Sequence, residues 1–319
     1  MADIVVVGSL NMDLVAKVKR LPSYGETVIA HHFQMAPGGK GANQAVAVRR
    51  LGATAGMVGR VGMDSYGEIL LSSLTTSGVN VSYVAKDSDL PTGTALITVG
   101  DNGENTITVF PGANGRCLPD DVKAAGSFIS KAKALIVQLE IPLETVQTAL
   151  RIARENAIMT VFNPAPFRRL PEDLLSIVDY LILNEVEASA LCGCPVDQPH
   201  TAIEAGKRIL DMGPGRVVLT LGEKGAVFAG PEGGFHVPAF RVKAIDSTAA
   251  GDAFIGAFTV ALVEGMGVEE GLRYGCASGA IATTRMGAQT SLPTRDEIKE
   301  LLGFSKLRRF QSYDLEGLA

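Results

Sequence analysis

The stretch 134–163, ALIVQLEIPLETVQTALRIARENAIMTVFN, decides the fold class. A short apolar run at 134–139 is followed by a longer helical pattern at 143–156 and a second short run at 159–163. Runs of those lengths in that order predict strand, helix, strand, and so a parallel pair joined by a crossover helix. The rhythm continues outward from there. Residues 4–7 read as a strand, and 41–51 as a helix with Ala42, Ala45, Val46 and Val48 among its apolar positions. A strand at 180–184 leads into a helix at 185–192. A helix at 201–212 precedes a strand at 217–221, and 251–264 and 268–284 are helices. The fold class expected is α/β, a doubly wound, mainly parallel sheet flanked by helices.

Two segments break the rhythm. Residues 14–37 read as extended pieces with turns around Pro22 to Gly25. Residues 92–110 alternate through Thr94, Leu96, Thr98, Thr106 and Thr108, with Asp101-Asn102-Gly103 as a hairpin signal. Together they predict one small β-sheet lying beside the main domain. The core is then expected over 1–13, 38–91 and 111–319, and the lid over 14–37 and 92–110. The tail beyond Gly303, with Lys306, Arg308 and Arg309, reads as a peripheral helix or frayed end without a function.

Bulk properties exclude several classes. The 319 residues carry a net charge of −5, and no Lys/Arg cluster points to nucleic acid or a membrane surface. No apolar run approaches the roughly 18–20 residues of a membrane span. The first residues, Met1-Ala2-Asp3 before Ile4, lack the basic and cleavage features of a signal peptide, so a cytoplasmic protein is expected. Cys117, Cys192, Cys194 and Cys276 make no CxxC pair, and with four His in the chain a zinc site is not expected. They read as reduced thiols.

The chemistry concentrates at a few places. In Asp246-Ser247-Thr248-Ala249-Ala250-Gly251-Asp252, small residues precede an acid where an apolar helix opens. Such a terminus leaves N–H donors open for a phosphate. An acid beside them can take the proton of an attacking hydroxyl, and read alone it is as often a plain N-terminal helix acid. Pro37-Gly38-Gly39-Lys40-Gly41 is a glycine-rich entry into a helix, but Gly41 stands where a Walker A loop needs Ser or Thr. The first strand ends in Gly8-Ser9-Leu10-Asn11-Met12-Asp13, offering an amide and a carboxylate at the ligand-gathering end of a parallel sheet. It is not a G-x-G-x-x-G dinucleotide fingerprint, which argues against an oxidoreductase. Gln138-Leu139-Glu140, Asn184-Glu185-Val186-Glu187 and Thr220-Leu221-Gly222-Glu223-Lys224-Gly225 are further polar strand ends; each by itself is commonly a turn or cap.

In order along the chain, GSLNMD at 8–13, GGKGANQA at 38–45, PTGTA at 91–95, PGAN at 111–114, QLEIPLETV at 138–146, NPAP at 163–166, NEVEA at 184–188, TLGEKG at 220–225, DSTAAGD at 246–252 and RMGAQTS at 285–291 resemble the ribokinase-like family of carbohydrate kinases. The likeness spans nearly the whole chain, from Ile4 to about Leu292. It implies ATP-dependent phosphorylation of a sugar, D-ribose at its 5-hydroxyl foremost. A different sugar or a nucleoside is the alternative, and a non-catalytic sugar-binding protein is less favoured. Asn11, Asp13, Gly39, Lys40, Asn43 and Glu140 match sugar-holding positions. Asp252 matches the catalytic base, and Ala249, Ala250 and Gly251 an anion hole. Asn184, Thr220, Gly222 and Gly225 match positions around ATP, with Mg²⁺ bridging its phosphates. Asp246 and Thr248 match a K⁺ site completed near Ala282, Arg285, Gly287 and Ser291. A homodimer formed through the lid is implied as well. The sequence departs from the family at Cys276, which stands where Asn or His is common near adenine, at Ser247 for the commoner Thr, and at Ala253 for the usual Thr.

Overall fold

A computed structural model describes residues 2–171, 173–231, 233–304 and 311–313. Among these, the strands are β1 (Ile4–Val7), β2 (Asn11–Val18), β3 (His32–Gly38), β4 (Ala55–Gly62), β5 (Asn80–Asp87), β6 (Gly93–Gly100), β7 (Asn105–Phe110), β8 (Ala134–Gln138), β9 (Met159–Asn163), β10 (Tyr180–Asn184), β11 (Arg216–Thr220), β12 (Ala226–Gly230), β13 (Gly233–Val237) and β14 (Gln311–Tyr313). The helices are α1 (Lys40–Arg50), α2 (Ser65–Thr76), α3 (Pro119–Ala124), α4 (Gly126–Ile129), α5 (Leu143–Glu155), α6 (Glu185–Cys192), α7 (Pro199–Leu210), α8 (Ala250–Val263), α9 (Val268–Thr283) and α10 (Arg295–Phe304).

The large sheet has the order β14-β13-β12-β11-β10-β9-β8-β1-β4-β5. From β11 to β5 all neighbours are parallel, and β12, β13 and β14 add an antiparallel edge. Alternate residues of the central strands feed two cores. Ile4, Val6, Ala134 and Ile136 join α1, α8 and α9 on one face; Val5, Val7, Leu135 and Val137 join α5 and α7 on the other. Burial on both faces is why these strands read as unbroken apolar runs rather than alternating ones. The expected doubly wound α/β class is the architecture found.

The two interrupting segments form a separate sheet of order β3-β2-β6-β7. β2 pairs parallel with β6, and the outer pairs are antiparallel. The turn at 101–103 joins β6 to β7, with Gly103 at φ 89° in the left-handed region that a side chain disfavours. β2 already opens at Asn11, so Asn11 and Asp13 lie on the small sheet's first strand, three residues before the expected boundary. The reason is continuity: β1 runs through residues 8–10 into β2, and one stretch of chain serves both sheets.

β4 and β5 escaped the sequence reading. Gly56, Gly59 and Gly62 make β4 look like a loop, because glycine is depleted in strands. Each is required by a close neighbour. A Cβ at Gly56 would lie 2.3 Å from the Phe128 ring, at Gly59 2.6 Å from Leu10, and at Gly62 2.5 Å from the Thr92 nitrogen. Lys306, Arg308 and Arg309 of the expected tail helix lie outside the described residues. Residues 311–313 pair with β13 as a strand. No helix among the described residues is long and apolar enough to cross a membrane.

Candidate active site

The catalytic candidate sits where α8 begins. Ala249, the residue before the helix, is in the left-handed region at φ 58°, a strained conformation for a residue with a side chain. No side chain caps this terminus, and open space stands where a Gly251 side chain would be. The Ala250 N–H is taken by the Ser247 carbonyl at 3.2 Å, while Ala249 and Gly251 line a cavity, with the positive end of the helix dipole behind them.

Asp252, one residue further in, is buried. Its Oδ2 accepts from Asn43 Nδ2 at 2.9 Å and its Oδ1 from Gln44 Nε2 at 2.8 Å. Both donors come from α1, and α1 reaches α8 because position 256 is glycine: a Cβ there would stand 2.6 Å from the Ala47 methyl. Gln44 Oε1 in turn accepts from Gln138 Nε2 at 2.6 Å. Gln138 projects from the end of β8, so three elements clamp the carboxylate. Burial pushes Asp252 above the usual carboxylate range, while the Lys40 charge and the two amide donors pull it back. The Lys40 ammonium is opposed by its own burial, but Asp252, Glu140 and Glu187 hold it protonated. The sequence marked Gln138 only as a polar strand end and gave Gln44 no role. The available signal was a Gln inside an otherwise apolar helix.

A second group of polar residues gathers at the junction of the two sheets. Asp13 is buried and pushed up to about 7, first by burial, then by the nearby charges of Glu140 and Asp252. Its carboxylate lies against Gly38, where a Cβ would come within 2.1 Å of Oδ2. Gly39 has φ 90°, and a Cβ there would press on the Asn11 nitrogen. These glycines let the chain pass under the carboxylate and the amide. Asn114 donates to Asn11 Oδ1 at 2.8 Å and also bonds both the N–H and the carbonyl of Leu10. With Oδ1 taken, Asn11 keeps its amide N–H groups for a ligand. Glu140 accepts from the Lys40 backbone N–H at 3.1 Å and from the Ser9 hydroxyl, at the start of α1. The Oδ1 of buried Asn43 has no hydrogen-bond partner.

A cavity of about 220 Å³ opens beside Asp252, lined also by Lys40, Asn184, Glu187 and Thr220. Asn184 caps α6: its side chain accepts from the Glu187 N–H at 2.8 Å, and Glu187 accepts from the Asn184 N–H at 2.9 Å. Burial raises the Glu187 carboxyl. Asn163, Ala165 and Ile255 also line the cavity, and composition alone did not mark them. Gly222, Gly225 and Cys276 lie outside this lining. Gly222 (φ 52°) and Gly225 (φ 98°) shape the turn between β11 and β12. Cys276 lies in the core on α9, its thiol pushed up to about 12 by burial.

The loop 246–252 is tied down at its far end. Asp246 Oδ1 accepts from the N–H and hydroxyl of Thr248 at 2.9 and 2.6 Å, and Oδ2 accepts from the Gly287 N–H at 2.8 Å. Burial alone would raise the Asp246 carboxyl, but these donors hold it below the usual range. Arg285 N–H bonds the Ala282 carbonyl at 3.3 Å, and the Ser291 hydroxyl donates to Ala288. Asp246 and Thr248 thus meet the segment at 287, while Ala282, Arg285 and Ser291 cap the end of α9 and the turn after it. Among the described residues no cluster of three or more His, Cys, Asp or Glu is suited to a divalent metal.

An open helix terminus for an anion and a desolvated carboxylate beside it, both at the carboxyl ends of parallel strands, define a phosphotransferase of the α/β class acting on a small molecule. The pattern of the pfkB family carbohydrate kinases matches residues 1–295. A ribokinase of Haemophilus influenzae is 40% identical over 298 residues, covering 93% of this chain and 97% of that one. A deoxyribokinase of Salmonella typhimurium is 36% identical over 305 residues, covering 95% and 100%. The structure of Arabidopsis thaliana ribokinase complexed with ribose and ATP superposes with a TM-score of 0.88 at 32% identity, covering 95% and 99%. The chain belongs to the pfkB family of carbohydrate kinases.

Proposed function

We propose that the chain transfers the γ-phosphoryl group of ATP to the 5-hydroxyl of D-ribose, with Asp252 as general base. The observation that carries this reading is the Asp252 carboxylate, buried, clamped by Asn43 and Gln44, and next to the helix start at Ala249 and Gly251, which no side chain caps. Phosphoryl transfer asks for little else from a protein: in-line positioning, a proton acceptor, and donors where charge develops. Asp252 takes the hydroxyl proton, a role worth about 10²–10⁴-fold in rate. The α8 N–H groups and Lys40 receive the phosphoryl charge.

The sugar would lie between Asp13, Asn11, Gly39, Asn43 and Glu140. Asp13 offers two acceptor oxygens to neighbouring hydroxyls. Asn11 offers N–H donors, and the unpartnered Asn43 Oδ1 one more acceptor. A vicinal diol satisfies a carboxylate of this kind, whereas a 2-deoxy sugar leaves one oxygen short of a donor; unpaired buried polar groups discriminate strongly. That favours ribose over deoxyribose despite the likeness to a deoxyribokinase.

ATP would be held by Asn184, Thr220 and the turn at Gly222 and Gly225, with its phosphates toward Gly251. Mg²⁺ carried with the nucleotide would neutralise phosphate charge, and Glu187 and Asn184 would meet it or its waters. The loop at Asp246 and Thr248 suits a monovalent ion such as K⁺, with carbonyls near Ala282, Arg285 and Gly287 and the Ser291 hydroxyl completing it; a single carboxylate among neutral oxygens matches a low charge. Its part is to keep the α8 terminus in place. The small sheet would close over the sugar and exclude water. Its exposed Phe33, Met35, Leu96, Ile107 and Val109 would pair with a second copy.

The test is a substrate panel with ATP, followed by coupled ADP release, on the wild type and Asp252→Asn. Ribose should show the highest kcat/KM, and the variant should lose turnover while still binding ribose. A better substrate would remove the ribose assignment, and retained turnover would remove Asp252 from its role.

A further inference from the structure

Away from the catalytic cavity, α6 ends in a pair of thiols. Cys192 is the last residue of the helix, and Cys194 follows Gly193, which takes φ 69° as the left-handed C-cap. That turn folds the chain back on itself and brings the two Sγ atoms to 2.9 Å. The approach is closer than two thiols in ordinary van der Waals contact, and a shift of about 0.9 Å would reach the bonding distance of a disulfide. Both residues are half-buried, so small solutes reach them.

The two remaining cysteines provide an internal contrast. Cys117 and Cys276 are buried, and burial pushes both thiols up to about 12. Buried thiols of this kind are inert toward oxidants because the thiolate is the reactive form. At the α6 end the partner sulfur changes the chemistry. The hydrogen bond between the thiols is the largest cause of the raised value at Cys194. Cys194 thus holds its proton more firmly than a free thiol while its sulfur stays against that of Cys192.

We propose that Cys192 and Cys194 form a thiol-oxidation site that closes to an intrachain disulfide on reaction with a peroxide. The thiolate attacks one peroxide oxygen and the O–O bond breaks, leaving a sulfenic acid and water. The neighbouring thiol then attacks the sulfenic sulfur, the S–S bond forms, and a second water leaves. Two thiols are oxidised, one peroxide is reduced to two waters, and a dithiol reductant reverses the change.

The experiment treats the folded protein with hydrogen peroxide, blocks remaining thiols with iodoacetamide after denaturation, and maps tryptic peptides by mass. Both cysteines fall in the single peptide spanning 170–207. That peptide should lose both alkyl groups together and be lighter by two hydrogens, and dithiothreitol should restore alkylation. Cys117 and Cys276 should stay fully alkylated. In Cys194→Ser, Cys192 should accumulate a dimedone-trapped sulfenic acid that the wild type does not. The proposal is overturned if wild-type Cys192 or Cys194 accumulates the dimedone adduct or a sulfinic acid. It is equally overturned if Cys117 or Cys276 oxidises first, if non-reducing gels show a disulfide between chains, or if the 170–207 peptide is unchanged.

Discussion

Replacing Asp13 by Asn should stabilise the ligand-free protein, and only above about pH 5. Asp13 is buried beside Glu140 and Asp252 and titrates at about 7, against an ordinary value of 3.8. Between those two values the folded chain holds a proton that the unfolded chain has released. Stability therefore falls as pH rises through this window and levels off above it. A difference of about three pH units at about 1.36 kcal/mol each sets about 4 kcal/mol as the upper bound. Water entering the open site lowers it, so a gain of about 1–3 kcal/mol for Asp13→Asn at pH 8 is expected. Below pH 4 the gain should vanish. The assay is urea unfolding of both proteins without sugar at pH 4 to 8 and constant ionic strength. The sugar affinity of the variant should fall at the same time, which is the cost of a site built for binding rather than stability. An advantage that does not grow with pH, or a variant less stable than wild type at pH 8, would refute the electrostatic account of this site.

Gln44→Met removes one amide donor from Asp252, and a hydrogen bond to a charged group is worth about 1.5–3 kcal/mol. The carboxylate loses support for its charged form, so the acid limb of the kcat/KM profile should move up by about one to two pH units. An unmoved limb would mean that Gln44 does not tune the base. Gly225→Ala places a Cβ 2.0 Å from the Val237 carbonyl at φ 98°, and should cost more than about 2 kcal/mol in thermal or urea unfolding. Turnover in K⁺ should exceed that in Na⁺ at equal ionic strength if the Asp246 loop takes a monovalent ion, and equal rates would sink that assignment.

The α/β class was legible because each strand between β8 and β11 is buried on both faces and reads as a short apolar run set between helical periods. The position of Asp252 was legible too, since small residues before an acid at a helix start are a local pattern. What the amino-acid order could not reveal is which distant groups meet that acid. Gln44 and Gln138 are 94 positions apart and become partners only because α1 packs beside the carboxyl end of β8. Gly256 looks like a weak spot in a helix until Ala47 is placed against it, and the glycines of β4 look like a loop until Phe128, Leu10 and Thr92 crowd them. The same holds for charge. A carboxylate at position 13 is ordinary in sequence and titrates near neutrality only when folding buries it beside two others. Local pattern and periodicity are properties of neighbours along the chain, so the layers, the helix start at Ala250 and the acid within it could be read from residue order. Desolvation, close approach and hydrogen bonding between remote residues depend on distance in space, so the tertiary structure alone decided how the acid is clamped, which glycines are obligatory, and where the proton on Asp13 resides.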